Sequence, residues 1–227
     1  KSFHNYLCRQ LKGGGMEIDM YTERVQYAID NFIMDDYFLE MQKNYHLKEE
    51  KDSGKSDLDV TIKNDNLCIY NFDDKKKCNF LRPEKTTGMQ KSVDHILFEK
   101  IDDGWRLHLI EMKSGVGYKT WLESIKPKVR TSYLTSLAIA DFLGIKISDV
   151  VAYTTYSEEK FSDNSNKTNP RTFVPPLGEK ARNPVKDEWE NNQMFLELGE
   201  ELRIVHKKIK MKKDEQSGVL LGNLEIS

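Results

Sequence analysis

Two carboxylates and a lysine in this sequence have the types and the spacing that phosphodiester chemistry requires. Asp94 opens one apolar run, a turn with the sequence Asp-Asp-Gly follows, and a second apolar run ends in Glu111-Met112-Lys113. Carboxylate oxygens are the ligands that Mg²⁺ prefers, and an ammonium group can stabilise negative charge on a phosphate. The three side chains therefore predict a site that holds a divalent cation beside a phosphodiester.

The two apolar runs and the turn between them are typical of a β-hairpin. Because side chains alternate between the faces of a strand, Glu111 and Lys113 share one face. If residues 103–104 form the loop, Asp94 lies opposite Lys113, and if residues 102–103 form it, Asp94 lies opposite Glu111. Both registers place Asp94 on the face of Glu111, whereas a three-residue loop without a bulge places it on the other face.

The second run is apolar on both faces, with Leu107 and Leu109 on one and Ile110 and Met112 on the other. This pattern predicts a central strand that is covered on both sides. Charged groups at the end of such a strand need pairing or a metal, because unpaired buried charges are costly. Glu-x-Lys alone usually marks a solvated strand end, but its combination with a buried strand and an acidic residue across the hairpin favours a functional site.

Asp94 followed by Glu111-x-Lys113 resembles the signature of the PD-(D/E)xK nuclease superfamily, whose members share the restriction-endonuclease-like fold. The resemblance implies an αβββαβ core with a central mixed sheet flanked by helices. It also implies that Asp94, Glu111 and the backbone carbonyl of Met112 bind Mg²⁺ or Mn²⁺, while Lys113 positions the attacking water or stabilises the phosphate. In many members an acidic residue of the first helix joins the site, and Glu23 is the candidate here.

The helices of such a core can be located from apolar spacing. Residues 21–47 fit helical periodicity, either as one helix or as two with a break near residues 35–36. A second helix is predicted over 128–143. Pro127 fits its start and Gly144 fits its C-terminal cap.

Short runs of β-forming residues predict the strands. Two runs within 57–72 predict the first strand and a hairpin, and residues 149–156 predict the strand after the second helix. Three further runs within 194–226 predict a C-terminal β appendage with a basic edge. The fold class predicted is therefore α/β, with the restriction-endonuclease-like core and this appendage.

The 227 residues fit one domain. Residues 16–156 are expected to form the nuclease-like core, and 157–227 a long basic loop and β extension of the same domain. Residues 1–15 precede a methionine and end in three glycines, so they are set apart as an N-terminal arm or tethered segment.

The composition indicates the class of protein and its compartment. Hydrophobic residues make up 38% and charged residues 32%, which is typical of a soluble protein with a polar surface. No apolar run is long enough to span a membrane, and no secretory signal is visible. Cys8, Cys68 and Cys78 are widely spaced and odd in number, which favours free thiols and a cytoplasmic location.

The net charge of −2 excludes a global attraction to nucleic acid, so a nucleic-acid enzyme of this composition must concentrate its basic groups locally. Lys119, Lys126, Lys128 and Arg130 form such a cluster after the motif. They are predicted to contact phosphates at a distance from the metal, with an ordinary solvated helix face as the alternative. The segment 157–186 is the other candidate for a nucleic-acid contact.

These features predict a metal-dependent nuclease, acting as an endonuclease or exonuclease, with DNA favoured over RNA as substrate. The first alternative is a catalytically silent nuclease-fold module that binds nucleic acid or a protein partner. The second is an unrelated α/β domain in which the motif occurs by chance. No membrane partner is expected, and the sequence leaves open whether the chain forms a homo-oligomer or binds a partner protein.

Overall fold

The computed structural model describes Val25, Tyr27 and residues 37–39, 41–49, 55–74, 89–161 and 184–226. The strands are β1 (Asn44–Glu49), β2 (Ser56–Ile62), β3 (Asn66–Ile69), β4 (His95–Ile101), β5 (Gly104–Glu111), β6 (Gly115–Gly117), β7 (Ile147–Tyr156), β8 (Glu158–Lys160), β9 (Gln193–Glu197), β10 (Glu201–Lys210), β11 (Lys212–Lys213) and β12 (Leu220–Ile226). The helices are α1 (Lys126–Leu143) and α2 (Pro184–Glu190), with helical turns at Phe72–Asp74, Tyr118–Thr120 and Trp121–Ile125. The mixture confirms the α/β class.

A mixed sheet of six strands in the order β3-β4-β5-β7-β10-β9 is the centre of the described part of the fold. β4 is antiparallel to both of its neighbours, β3 and β5, whereas β5, β7 and β10 run parallel. α1 connects β5 to β7 and packs on both strands, with Ile125, Val129 and Leu143 buried in the core beneath it. α2 contributes Trp189 to the same core, so both helices cover one face of this sheet.

The opposite face of the six-stranded sheet is covered by a second sheet in the order β1-β2-β12-β11. Its strands alternate buried and exposed residues, as expected when one face packs and the other meets water. Leu47 and Leu58 of this sheet join Ile110 of β5, and Met112 directly after it, in one core. The prediction of helices on both faces is therefore wrong within the described residues, because a sheet covers the second face.

The structure corrects two further predictions on the N-terminal side. Within the segment predicted to be helical, Val25 and Tyr27 are helical, but the described residues between Tyr37 and Leu47 are not. Residues 44–49 form β1 rather than the end of a helix. The predicted break near residues 35–36 lies outside the described residues. β2 and β3 form no hairpin with each other, since β2 pairs with β1 and β12 while β3 pairs with β4.

The C-terminal strands are integral to the fold rather than an appendage. β9 and β10 extend the six-stranded sheet, and β12 pairs in parallel with β2 in the second sheet. The strand predicted over 149–156 is confirmed as β7. Gly144 ends α1 in the left-handed region at a φ of 75°, as predicted.

The helical backbone begins earlier than predicted. It starts at Tyr118 and passes through the π-helical turn Trp121–Ile125 before α1. Pro127 is the second residue after this turn, so the residue that lacks an N–H group lies where the regular hydrogen-bond ladder of the helix is already interrupted. In the part of the chain that the structure describes, no helix is long and apolar enough to cross a membrane.

Candidate active site

The β4–β5 hairpin brings Asp94 and Glu111 together. His95 pairs with Ile110 and Ile101 with Gly104, so residues 102–103 form the loop and Asp94 lies opposite Glu111. This is the second of the two predicted registers. Gly104 has a φ of 133°, and a Cβ there would lie 2.8 Å from the Lys146 carbonyl oxygen, so the turn requires glycine.

Backbone hydrogen bonds fix the end of β5 from both neighbouring strands. The N–H of Met112 donates to Oδ2 of Asp94 at 2.6 Å, and the N–H of Lys113 donates to Oγ1 of Thr155 at 3.0 Å. Glu111 lies between these two anchors and is fully buried, and Asp94 is 2% exposed. The side chain of Glu111 is on the helix-covered face, because its neighbours Ile110 and Met112 point to the core on the opposite face.

Two ammonium groups contact this carboxylate pair. Nζ of Lys113 lies 2.5 Å from Oε1 of Glu111. Nζ of Lys128, which projects from α1, lies 2.8 Å from the same oxygen, 3.1 Å from Oε2 of Glu111 and 3.4 Å from Oδ1 of Asp94. The Lys113 side chain is 25% exposed and that of Lys128 15%, so the lysines form the solvent-facing side of the site.

The electrostatic environment shifts the pKa values of the two carboxylates in opposite directions. Burial, together with the negative charge of Asp94, raises the pKa of Glu111 to about 7 despite Lys128 and Lys113. Burial also acts to raise the pKa of Asp94, but Lys128, Lys113 and the Met112 N–H outweigh it and hold that pKa below its ordinary value. A buried pair with separated pKa values and specific charged partners is typical of a functional site.

Oε1 of Glu111 is buried and is contacted by the ammonium groups of Lys113 and Lys128 at 2.5 and 2.8 Å. A carboxylate oxygen whose partners are the ends of long cationic side chains, next to a second carboxylate, is suited to a hard cation. The donor set therefore fits the predicted metal.

The fit rests on two carboxylates. Within the described ranges no cluster of three or more His, Cys, Asp or Glu side chains is arranged to hold a metal ion. Mg²⁺ typically keeps several waters and uses only one or two protein carboxylates, which Asp94 and Glu111 provide. Glu23 lies outside the described residues, so its part in the site stays a prediction, as does that of the Met112 carbonyl.

The predicted basic cluster divides between two sides of α1. Residues two apart on a helix point about 200° away from each other. Lys128 faces the sheet, and the expectation that it lies away from the carboxylates is wrong. Lys126 pairs with Glu188 at 2.9 Å, and Lys126 and Arg130 both line a cavity of about 200 Å³ beside β9. Lys119 is exposed in the turn that precedes α1.

The sequence analysis missed the position of Lys128 in the site, although a signal was present. Ser132, Ser136 and Ala140 follow Lys128 at intervals of four, and all three are buried. Residues with this spacing share one helix face, and small residues allow close approach to a sheet. A lysine at the start of such a row is directed towards the sheet rather than towards solvent.

Comparison with protein-family models, with curated proteins and with solved structures gave no match.

Proposed function

We propose that the chain is a metal-dependent nuclease of the PD-(D/E)xK type that hydrolyses phosphodiester bonds of nucleic acid, with DNA favoured over RNA. The observation that carries the proposal is the convergence of Asp94 and Glu111 at the ends of two adjacent antiparallel strands, with Lys113 and Lys128 directed at them. The chain order β4, β5, α1, β7 supports the proposal, because it agrees with the strand-strand-helix-strand part of the expected core.

Asp94 and Glu111, with the Met112 carbonyl, would hold the cation. When bound, Mg²⁺ or Mn²⁺ would supply a water of lowered pKa and neutralise charge on the phosphate. The chain itself fixes the geometry, because the Met112 N–H holds one oxygen of Asp94 and leaves Oδ1 directed towards the site. Lys113 is anchored through its backbone by Thr155 and is partly exposed, so its ammonium group can reach a phosphate oxygen or orient the attacking water.

One observation favours the second candidate, a nuclease-fold module that binds nucleic acid or a protein without cleavage. Lys128 lies 2.8 Å from Glu111 and 3.4 Å from Asp94, so the pair already has a counter-charge without a metal. Both candidates share the same fold and differ in whether a cation enters the site.

A cleavage assay separates them. Supercoiled plasmid, linear duplex DNA, single-stranded DNA and RNA are incubated with the protein in Mg²⁺, Mn²⁺ or EDTA. We expect cleavage of DNA with either metal and none in EDTA. Glu111→Gln serves as the inactive variant, and Glu225→Gln, at an exposed position on the outer face of the second sheet, as its matched control. Cleavage that survives Glu111→Gln at the rate of the Glu225→Gln control would reject Glu111 as a metal ligand. Absence of cleavage by the wild type in all conditions would favour the silent module.

A further inference from the structure

The ammonium group of Lys128 lies among the oxygens that the proposed function assigns to a metal. It is within 3.4 Å of Oδ1 of Asp94 and of both carboxylate oxygens of Glu111. Mg²⁺ binds carboxylate oxygens at about 2.0 to 2.1 Å. A divalent cation on the same oxygens would lie close to this ammonium group, and two positive charges at such separation repel strongly where water is largely excluded.

Lys128 also explains how the site is stable without a metal. Two buried carboxylates side by side cannot both carry charge unless a cation compensates them. The ammonium group of Lys128, 2.8 Å from Glu111 and 3.4 Å from Asp94, supplies that compensating charge. Its position at the first turn of α1 lets the long side chain reach either the carboxylates or the solvent side of the site.

From this geometry we infer that Lys128 is an internal counter-cation that competes with the divalent metal for Asp94 and Glu111. Metal loading displaces its ammonium group from the carboxylates towards the solvent side, where it contacts the phosphate of the substrate. The inference rests on the proposed function, because it takes the two carboxylates as metal ligands. Cation binding and phosphate binding are then cooperative, because the metal releases the Lys128 ammonium group from the carboxylates and the substrate phosphate binds it.

Direct binding of Mn²⁺, measured by isothermal titration calorimetry without nucleic acid, tests the competition. Lys128→Met removes the charge and keeps much of the side-chain length. We expect it to bind Mn²⁺ about tenfold or more tightly than the wild type, in the range by which groups around a metal site alter its affinity. We also expect a lower metal-free Tm for this variant and a larger rise in Tm on Mn²⁺ addition. Lys146→Met, at an exposed lysine beyond the end of α1, is the matched control and should bind Mn²⁺ as the wild type does.

A second measurement uses the wild type and so does not depend on whether the variant folds. Acetylation of each lysine by acetic anhydride is followed by peptide mass spectrometry, with Lys146 as internal reference. We expect Mn²⁺ to increase the labelling rate of Lys128 severalfold. Equal Mn²⁺ affinity of the wild type and Lys128→Met, or labelling of Lys128 that does not rise when Mn²⁺ binds, would overturn the inference and leave the proposed function standing. If neither protein binds Mn²⁺, both are overturned.

Discussion

The β4–β5 hairpin carries two fully buried glutamates, Glu99 and Glu111, on opposite faces of the central sheet. Glu99 lies between the two sheets, where it accepts a hydrogen bond from Asn64 at 2.7 Å, lies 3.0 Å from Nε2 of His108 and pairs with Arg106 at 3.4 Å. Glu111 lies beneath α1, and the partners of its Oε1 are the ammonium groups of Lys113 and Lys128. Neither side chain is exposed to solvent, but Glu111 lies deeper than Glu99 and has different partners.

The pKa values follow this difference. Burial acts to raise the pKa of Glu99, but the His108 hydrogen bond and charge, with Asn64 and Arg106, bring it below its ordinary value. The pKa of Glu111 is raised to about 7. A carboxylate surrounded by fixed donors stabilises the fold, whereas one facing flexible ammonium groups is available to a ligand. Buried charge alone therefore does not indicate a functional site, and the kind of partner that the carboxylate has distinguishes the two glutamates.

Activity should show the largest difference between the two faces. Glu111→Gln and Asp94→Asn should each reduce cleavage by roughly 10³-fold or more, because each removes a negatively charged ligand from the cation. The Asn amide oxygen can still accept the Met112 N–H, so the strand end is expected to stay in place. Glu99→Gln should keep the wild-type rate per folded molecule. Single-turnover plasmid cleavage with Mg²⁺ measures all three, and equal losses for Glu99→Gln and Glu111→Gln would show that the two faces do not differ in function.

Lys113→Ala should separate chemistry from binding. We expect the cleavage rate to fall by about 10²- to 10³-fold, because one charge-stabilising donor is lost at the scissile phosphate. Affinity for nucleic acid should stay close to that of the wild type when Ca²⁺ replaces Mg²⁺ to block catalysis. A large loss of affinity with an unchanged rate would instead assign Lys113 to substrate binding.

The two glutamate variants should differ in stability in the opposite sense to their difference in activity. Glu99→Gln should lower the free energy of unfolding by about 2 to 3 kcal/mol, because charge-assisted hydrogen bonds to buried partners are weakened. Glu111→Gln in the metal-free protein should be neutral or stabilising, since it removes a charge that the fold disfavours. Urea unfolding followed by circular dichroism at pH 7.5 measures both. Strong destabilisation by Glu111→Gln would mean that this carboxylate is structural, as Glu99 is.

The raised pKa of Glu111 also predicts a pH dependence. The folded protein holds this proton up to a pKa of about 7, whereas the unfolded chain releases it near 4.5. The stabilising contribution is therefore complete below pH 4.5 and is lost as the pH rises through 7. Relative to Glu111→Gln, the metal-free wild type should lose about 2 kcal/mol of unfolding free energy between about pH 5.5 and 8. Parallel stability profiles for the two proteins would contradict the raised pKa.

The hairpin and the shared face of its carboxylates could be predicted because both follow from local rules. Alternation of side chains over β5 separates Leu107 and Leu109 from Ile110 and Met112, and the structure places the two pairs in different cores. Both short-loop registers put Asp94 on the face of Glu111, so the choice between them did not affect the conclusion. Local patterning thus predicted the part of the site that the hairpin builds.

The remainder depends on contacts between distant segments, which leave little local signal. Tyr45 and Leu47 alternate with polar residues in β1, but apolar residues upstream fit helical spacing and hid this short run. β2 pairs with β12 from the far end of the chain, and the sequence of neither strand predicts this pairing. Lys128 was assigned to the helix surface because it was grouped with its basic neighbours rather than with Ser132 and Ser136, which share its side of the helix.

The basic residues of α1 that face β9, with Lys119 in the turn before the helix, should give the smallest effect. Lys119→Ala and Arg130→Ala should each weaken nucleic-acid binding severalfold across sequences alike and lower the salt slope by about one unit per lost phosphate contact. Lys126→Ala should change the slope less, because Glu188 at 2.9 Å already compensates its charge.

Affinity is measured at several salt concentrations with Ca²⁺ in place of Mg²⁺. If Lys119→Ala and Arg130→Ala keep the wild-type affinity and slope, this side of the helix is a solvated face. The substrate path would then lie elsewhere, and the basic segment 157–186 would be the next to test.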